Sequence, residues 1–66
     1  MLKGQVKHID NSKGWGFIET PDGDDYFFNI ANVRPGQKLN LGDLVKFDYH
    51  QTGRGPSAKN ILKIDS

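Results

Sequence analysis

The chain has 66 residues, no cysteine, and 9 Lys and Arg residues against 8 Asp and Glu residues, for a formal net charge of +1. A chain of this length forms one domain and buries only about 60% of its unfolded surface, which argues against a deep catalytic cleft and therefore against an enzyme. Without cysteine there is no disulfide framework and no thiolate metal site, so a cytoplasmic location is the default expectation. No segment has the apolar length of a signal peptide or a membrane span, and we expect no membrane partner.

Two strands are predicted at the start of the chain. Residues 2–9 alternate apolar or small residues with polar ones, which indicates a strand with one buried face that ends near Asp10. After a polar turn, residues 15–20 alternate in the same way. Trp15 and Phe17 then lie on one face of the second strand.

A third strand follows a tight turn. Residues 21–24 read Pro-Asp-Gly-Asp, which predicts a hairpin because proline presets φ and glycine accepts positive φ. Residues 25–30 form the predicted third strand. Its two faces carry Asp25, Phe27 and Asn29 on one side and Tyr26, Phe28 and Ile30 on the other.

The second half of the chain predicts a loop and two more strands. Residues 31–41 lack periodicity and indicate a loop with one helical turn at its start, and residues 43–51 alternate as a fourth strand. Residues 57–64 form the fifth strand. The sequence leaves open which of its faces points inward, the one with Ala58, Leu62 and Ile64 or the one with Ile61. Phe28, Phe47, Tyr26 and Tyr49 have apolar parity and are interpreted as core, with the tyrosine hydroxyls near the rim. Five short strands favour an all-β barrel, because an open sheet of this size exposes its edges.

The motif with the clearest chemistry is Lys-Gly-Trp-Gly-Phe-Ile at residues 13–18. Both rings share one face of the predicted strand, and the glycines leave room for a flat nucleic-acid base to stack on them. If the rings were instead core, Gly16, Ile18 and Thr20 would face water while Glu19 pointed inward. We therefore interpret Trp15 and Phe17 as exposed.

This motif resembles the first ribonucleoprotein motif of the bacterial cold-shock domain, usually Lys-Gly-Phe-Gly-Phe-Ile. Asp-Tyr-Phe-Phe-Asn-Ile at residues 25–30 lies where that family has its second motif, and the opening Gly4-x-Val6-Lys7 and the later Arg54-Gly55-Pro56 also agree. The resemblance covers residues 1–66 as a single domain. It implies a five-stranded antiparallel OB-fold barrel that binds single-stranded RNA and DNA without catalysis. Such proteins act as nucleic-acid chaperones in transcription antitermination and translation.

The sequence departs from the family at positions that stack on bases. His8 stands where the family usually has tryptophan, and Asn29 and Ile30 replace the histidine and phenylalanine of the second motif. The loop from Val33 to Gly42 is shorter than is usual in the family, and it lacks a phenylalanine that commonly completes the surface. Because each stacked base contributes about 1–3 kcal/mol, we expect weaker binding than is typical of the family.

The candidate nucleic-acid-binding residues combine rings, cations and hydrogen-bonding groups. They are Lys7, His8, Lys13, Trp15, Phe17, Asp25, Phe27, Asn29, Ile30, Arg54 and Pro56. Strict alternation would place His8 inward, whereas the resemblance implies a bulge that turns it outward, and we favour the outward orientation. Asp25 either contacts a base edge or caps the hairpin, and each cation could equally be a solvated surface charge.

A second hypothesis is a small β-barrel whose aromatic face binds a peptide or partner protein. No cofactor, metal ion or small-molecule substrate is predicted, because the acidic turn lacks the spacing of a calcium loop and Gly14-x-Gly16 lacks a dinucleotide fingerprint. We expect a monomer, with strand exchange into a dimer as an alternative through the long loop.

Overall fold

The computed structural model describes residues 1–64, which form five strands and one short 3₁₀ turn. The strands are β1 (Leu2–Asp10), β2 (Trp15–Glu19), β3 (Asp25–Asn29), β4 (Leu44–Thr52) and β5 (Gly55–Lys63), and the 3₁₀ turn is Ile30–Asn32. Each predicted strand is confirmed within two residues at either end, as is the helical turn at the start of the loop.

The strands close into a barrel in the order β1-β2-β3-β5-β4. β1 lies between β2 and β4, and these contacts, like β2–β3 and β4–β5, are antiparallel. The barrel is closed by a short parallel contact in which Phe27 of β3 lies opposite Ser57 of β5. The prediction of an all-β, five-stranded OB-fold barrel is confirmed, with this one parallel contact added.

The hydrophobic core comes mainly from one face of each strand. Its buried members are Val6, Ile18, Phe28, Leu39, Val45, Phe47, Ala58 and Ile61. Phe28 and Phe47 are therefore core residues, as predicted, whereas Tyr26 is half-buried at the edge of the cluster. The prediction was wrong for Tyr49, which is 52% exposed. Tyr49 lies in the part of β4, residues 49–52, that is exposed throughout, and its ring packs against Tyr26 at a centroid distance of 5.5 Å.

The alternation of β5 is interrupted, so each of the two predicted inward faces contributes one residue to the core. Ala58 and Ile61 are both fully buried although they are three residues apart. Asn60 between them has a φ of 51°, in the left-handed region, which turns the strand by one residue. Leu62 and Ile64 are consequently half-buried outside the central core.

No helix within residues 1–64 has the length and apolar character needed to cross a membrane. The same residues contain no cluster of three or more His, Asp or Glu side chains that could hold a metal ion.

Candidate nucleic-acid interface

Four rings lie together on the outer surface of β1, β2 and β3, and we call them the aromatic face: His8, Trp15, Phe17 and Phe27. The centroids of Trp15 and His8 are 4.9 Å apart, and Trp15 meets Phe17 edge-on at 5.6 Å. The Trp15 and Phe27 rings are 6.2 Å apart and inclined by only 23°, while Phe17 contacts Phe27 edge-on at 5.9 Å. The result is a continuous aromatic surface across three neighbouring strands.

The alternation of β2 explains why Trp15 and Phe17 face outward. Gly16 and Ile18, which alternate with them, are buried, and both rings are half-buried on the opposite side of the strand. Gly16 is needed for this arrangement because a Cβ there would lie 2.7 Å from Cζ of Phe28. The strand therefore sits directly on a core ring while it presents its own rings outward.

His8 is exposed on the aromatic face, as the family resemblance implied. The register of β1 against β2 shifts between Val6 and His8, so that Lys7 is the additional residue of a β-bulge. Beyond the bulge His8 lies opposite Phe17. The bulge thus allows Lys7 and His8, although adjacent, both to be exposed.

The turn between β1 and β2 is organised by the Asp10 carboxylate. Its Oδ1 accepts hydrogen bonds from the Ser12 hydroxyl (2.7 Å), the Lys13 amide (3.0 Å) and the Ser12 amide (3.1 Å). These bonds, that of the Ser12 hydroxyl above all, lower the pKa of Asp10 from its ordinary value of 3.8, and the charge of His8 adds to them. Gly14 completes the turn with a φ of 79°. The turn fixes the backbone from which Lys13 extends beside Trp15.

The charges around the aromatic face are unevenly distributed. Lys7, Lys13 and Arg54 are exposed on three elements that border it. Lys7 reaches Glu19 through an ion pair at 3.8 Å in which both side chains are about half exposed. Glu19 lies directly opposite Asp25, so the hairpin end of β2 and β3 is acidic. A bound polyanion is therefore favoured along the cationic borders and disfavoured at the hairpin.

A recess of about 450 Å³ adjoins Phe27 where β3 meets the loop between β4 and β5. Two of the candidate binding residues, Arg54 and Pro56, line it together with Thr52 and Ser57. The loop is held by the Thr52 hydroxyl, which donates to the Gly55 carbonyl at 2.7 Å and accepts from the Arg54 amide at 3.1 Å. The recess extends the aromatic face by a space that can receive a base beside Phe27.

Asn29 and Ile30 lie at the end of β3, beside the aromatic face, where both make contacts within the protein. The Asn29 side chain accepts a hydrogen bond from the Ala31 amide at 3.1 Å, and the Asn32 side chain accepts one from the Asn29 amide at 2.9 Å. Asn29 is thereby the N-cap of the 3₁₀ turn while remaining exposed. Ile30 packs against the hydrophobic core, and its amide donates to the Gly14 carbonyl at 2.8 Å.

Sequence reasoning missed Thr52 and Ser57 in the recess and the pairing of Glu19 with Asp25. The acidic pair could have been found from the hairpin register, since Glu19 and Asp25 flank the five residues 20–24 that connect the two strands. The recess has no such local signal, because it depends on the contact between β3 and β5.

Comparisons with known proteins agree with this geometry. A family model described as the 'Cold-shock' DNA-binding domain matches residues 2–64. The chain belongs to the cold-shock domain family. It is 40% identical to the major cold shock protein CspA of Bacillus cereus over 65 residues, covering 96% of this chain and 97% of that protein. It is 41% identical to cold shock protein CspD of Bacillus subtilis over 66 residues, covering 97% and 100% of the two chains.

A solved structure supports the fold of this cold-shock domain independently. The chain superposes on drosophila Unr CSD456 with a TM-score of 0.81 at 20% sequence identity, covering 97% of this chain and 26% of that one. At this identity the likeness concerns the barrel alone.

Proposed function

We propose that this cold-shock domain binds single-stranded RNA or DNA by stacking unpaired bases on the aromatic face. The observation that supports this most directly is the set of four outward-facing rings on the outer sheet surface, with cations on its borders. Aromatic rings stack on bases of any sequence, and each stacked base contributes about 1–3 kcal/mol. Stacking is non-covalent and reversible, so the bound strand can dissociate and be replaced by another strand.

The mechanism is passive capture of unpaired segments. Trp15, Phe17, Phe27 and His8 hold the bases, and Lys7, Lys13 and Arg54 neutralise phosphates along the borders. A base that stacks on the protein is unavailable for pairing, so the bound strand cannot refold into a hairpin. The domain then acts as a nucleic-acid chaperone that supports antitermination and translation in the cytoplasm, as a monomer and not as an enzyme.

The other proposed contacts are secondary to the rings. Asp25 is exposed at the acidic end, where its carboxylate can accept a hydrogen bond from a base edge. Pro56 provides an apolar wall of the recess. The Asn29 oxygen is engaged in the cap, so we assign its amide group to base contact, and Ile30 supports the Gly14 turn beside Trp15.

Affinity is expected to be lower than is typical of the family. His8 has a smaller ring than the usual tryptophan, and neither Asn29 nor Ile30 contributes an aromatic ring at positions where the family usually has one. A titration with a pyrimidine-rich hexamer at low salt measures the consequence. Nanomolar affinity would contradict the argument from lost ring area.

The decisive experiment is the fluorescence of Trp15, the one tryptophan of the chain. Hexathymidylate should quench its emission, and a duplex of matched length should not. Phe27→Ala should weaken hexamer binding by a factor of about 5 to 150, the equivalent of one stacked base. Tyr49→Ala is the control, because it removes an exposed ring outside the aromatic face.

Two results would refute the proposal. Emission of Trp15 that is unchanged by every single-stranded oligonucleotide would favour the peptide-binding alternative. Equal losses of affinity in Phe27→Ala and Tyr49→Ala would show that the aromatic face has no special part in binding.

A further inference from the structure

A second groove is lined by residues of β1, β2 and β4 and by none of the four rings. Its volume is about 320 Å³. The apolar residues that line it are Leu44, Ile64 and Pro21, and the polar ones are Lys3, Gln5, Lys7, Glu19 and Thr20. Leu44, the first residue of β4, is 44% exposed although it is a large hydrophobic residue. The groove therefore offers apolar surface for a flat group and amine donors at its border.

Two lysines stand opposite each other at the border of this groove. Lys3 lines the groove, and Lys46 lies two residues beyond the lining residue Leu44 in β4. Lys3 of β1 lies directly opposite Lys46 of β4 in the strand register, and both are on the outer face. Like charges at directly opposed positions destabilise a sheet. Neither lysine takes part in an ion pair within residues 1–64, where the pairs are Lys7 with Glu19 and Lys63 with Asp43. Such a pair of cations is suited to a phosphate group.

The groove is continuous with the aromatic face. Lys7 lines the groove and is also adjacent to His8, which contacts Trp15. Glu19 lines the groove too, and it follows Phe17 on the same face of β2. A strand that leaves the four rings past Lys7 enters the groove along β1. Of the two carboxylates at the acidic hairpin end, Glu19 lines the groove and Asp25 does not.

We propose that this groove is an additional nucleotide subsite, which holds the segment of single-stranded nucleic acid that continues beyond the aromatic face. The base or sugar lies against Leu44 and Ile64, and the phosphates lie between Lys3 and Lys46. This inference rests on the proposed function, since it extends the path of the same strand.

The Lys7–Glu19 ion pair does not prevent this path. It is long, at 3.8 Å, and half exposed, and exposed pairs of this kind contribute little to stability. A phosphate can therefore replace the Glu19 carboxylate as the partner of Lys7. Each additional phosphate contact releases counterions and makes the dependence of affinity on salt steeper by about 0.7 in logarithmic slope for a single strand.

The test compares two oligonucleotide lengths with three single-charge variants. Hexathymidylate covers the aromatic face, and decathymidylate is long enough to continue into the groove. Lys3→Gln and Lys46→Gln are the test variants. Lys59→Gln is the matched control, because it removes the same charge from β5, beside Tyr49 and Asp48.

For the decamer, Lys3→Gln and Lys46→Gln should each weaken binding about two- to fivefold and reduce the salt slope by about 0.7. For the hexamer they should match Lys59→Gln. The salt slope is the more decisive measurement, since a longer strand also gains affinity from its additional binding registers. In NMR spectra, the Leu44 methyl resonances should shift with the decamer and stay in place with the hexamer.

The outcomes separate this inference from the proposed function. If the hexamer fails to bind or to quench Trp15, the proposed function itself is wrong. If the hexamer binds but the decamer has the same salt slope in the parent protein and in Lys3→Gln, the groove is not a subsite. Equal losses in Lys3→Gln and Lys59→Gln would likewise overturn the inference, because they would reflect net charge alone.

Discussion

Gly16→Ala tests whether the close packing beneath the aromatic face is required for stability. A Cβ at this position would lie 2.7 Å from Cζ of Phe28 and 2.8 Å from its Cε1, and it would also overlap the His8 carbonyl oxygen. Phe28 is fully buried, and the His8 carbonyl belongs to the backbone of the paired strand β1. Neither neighbour can withdraw without moving a strand or the core.

The size of the effect follows from overpacking, which costs about 1–3 kcal/mol. The free energy of unfolding of a 66-residue domain is roughly 3–10 kcal/mol in total. Thermal unfolding followed by circular dichroism should therefore show Tm lowered by about 5–20 °C. Because β2 must shift outward, affinity for hexathymidylate should fall as well.

Gly53→Ala is the matched control. A Cβ at Gly53 would meet no atom within 4 Å, and its φ is not positive, so the substitution should leave Tm unchanged or raise it slightly. If Gly16→Ala and Gly53→Ala unfold at the same temperature, the contact between Gly16 and Phe28 does not restrain β2, and the explanation given for the exposed rings fails.

Three further substitutions examine the surroundings of the aromatic face. Asn29→Ala should lower stability by about 0.5–2 kcal/mol through loss of the cap, whereas Asn29→Asp should retain it in chemical denaturation, and equal losses would contradict the capping role. Asp10→Asn should lower Tm at pH 7, because the lowered pKa means that the ionised carboxylate stabilises the folded state above pH 3.8. That difference should shrink as the pH falls below 3.8 and through the pKa of the folded state, and a difference that does not narrow on acidification would contradict it. His8→Trp should tighten hexamer binding about tenfold through greater ring area, and unchanged affinity would show that this position does not limit binding.

The strands and the aromatic face were predictable because alternation within a strand is a local property. Trp15 and Phe17 must share a face if β2 is a strand, and burial of Ile18 then determines which face points outward. The same reasoning identified Phe28 and Phe47 as core. It required no knowledge of which strands are neighbours.

The parts that local reasoning could not provide all involve interruptions or distant pairing. Alternation alone would have turned His8 inward, and only the family resemblance indicated the bulge. In β5, the left-handed Asn60 places Ala58 and Ile61 on the same side, which no period of two predicts. Tyr49 follows the apolar parity of β4 yet is exposed, because the last four residues of this strand extend past the buried core.

The two grooves could not be predicted from local sequence patterns either. The recess beside Phe27 exists because β3 meets β5, and the opposed lysines Lys3 and Lys46 exist because β1 meets β4. Both contacts join segments that are far apart in sequence. Their chemistry therefore appears only once the barrel has closed.

The parallel contact between Phe27 and Ser57 has a thermodynamic consequence for the whole domain. This contact closes the barrel through one residue pair, and the Ser57 hydroxyl reinforces it by donating to the Phe27 carbonyl at 3.1 Å. A ligand that touches Phe27 and Arg54 together spans this closure and holds its two sides in place. Occupancy and resistance to unfolding then rise together, since any ligand that binds the folded form alone shifts the equilibrium toward it. Hydrogen exchange at the junction of β3 and β5 would consequently slow when a strand is bound.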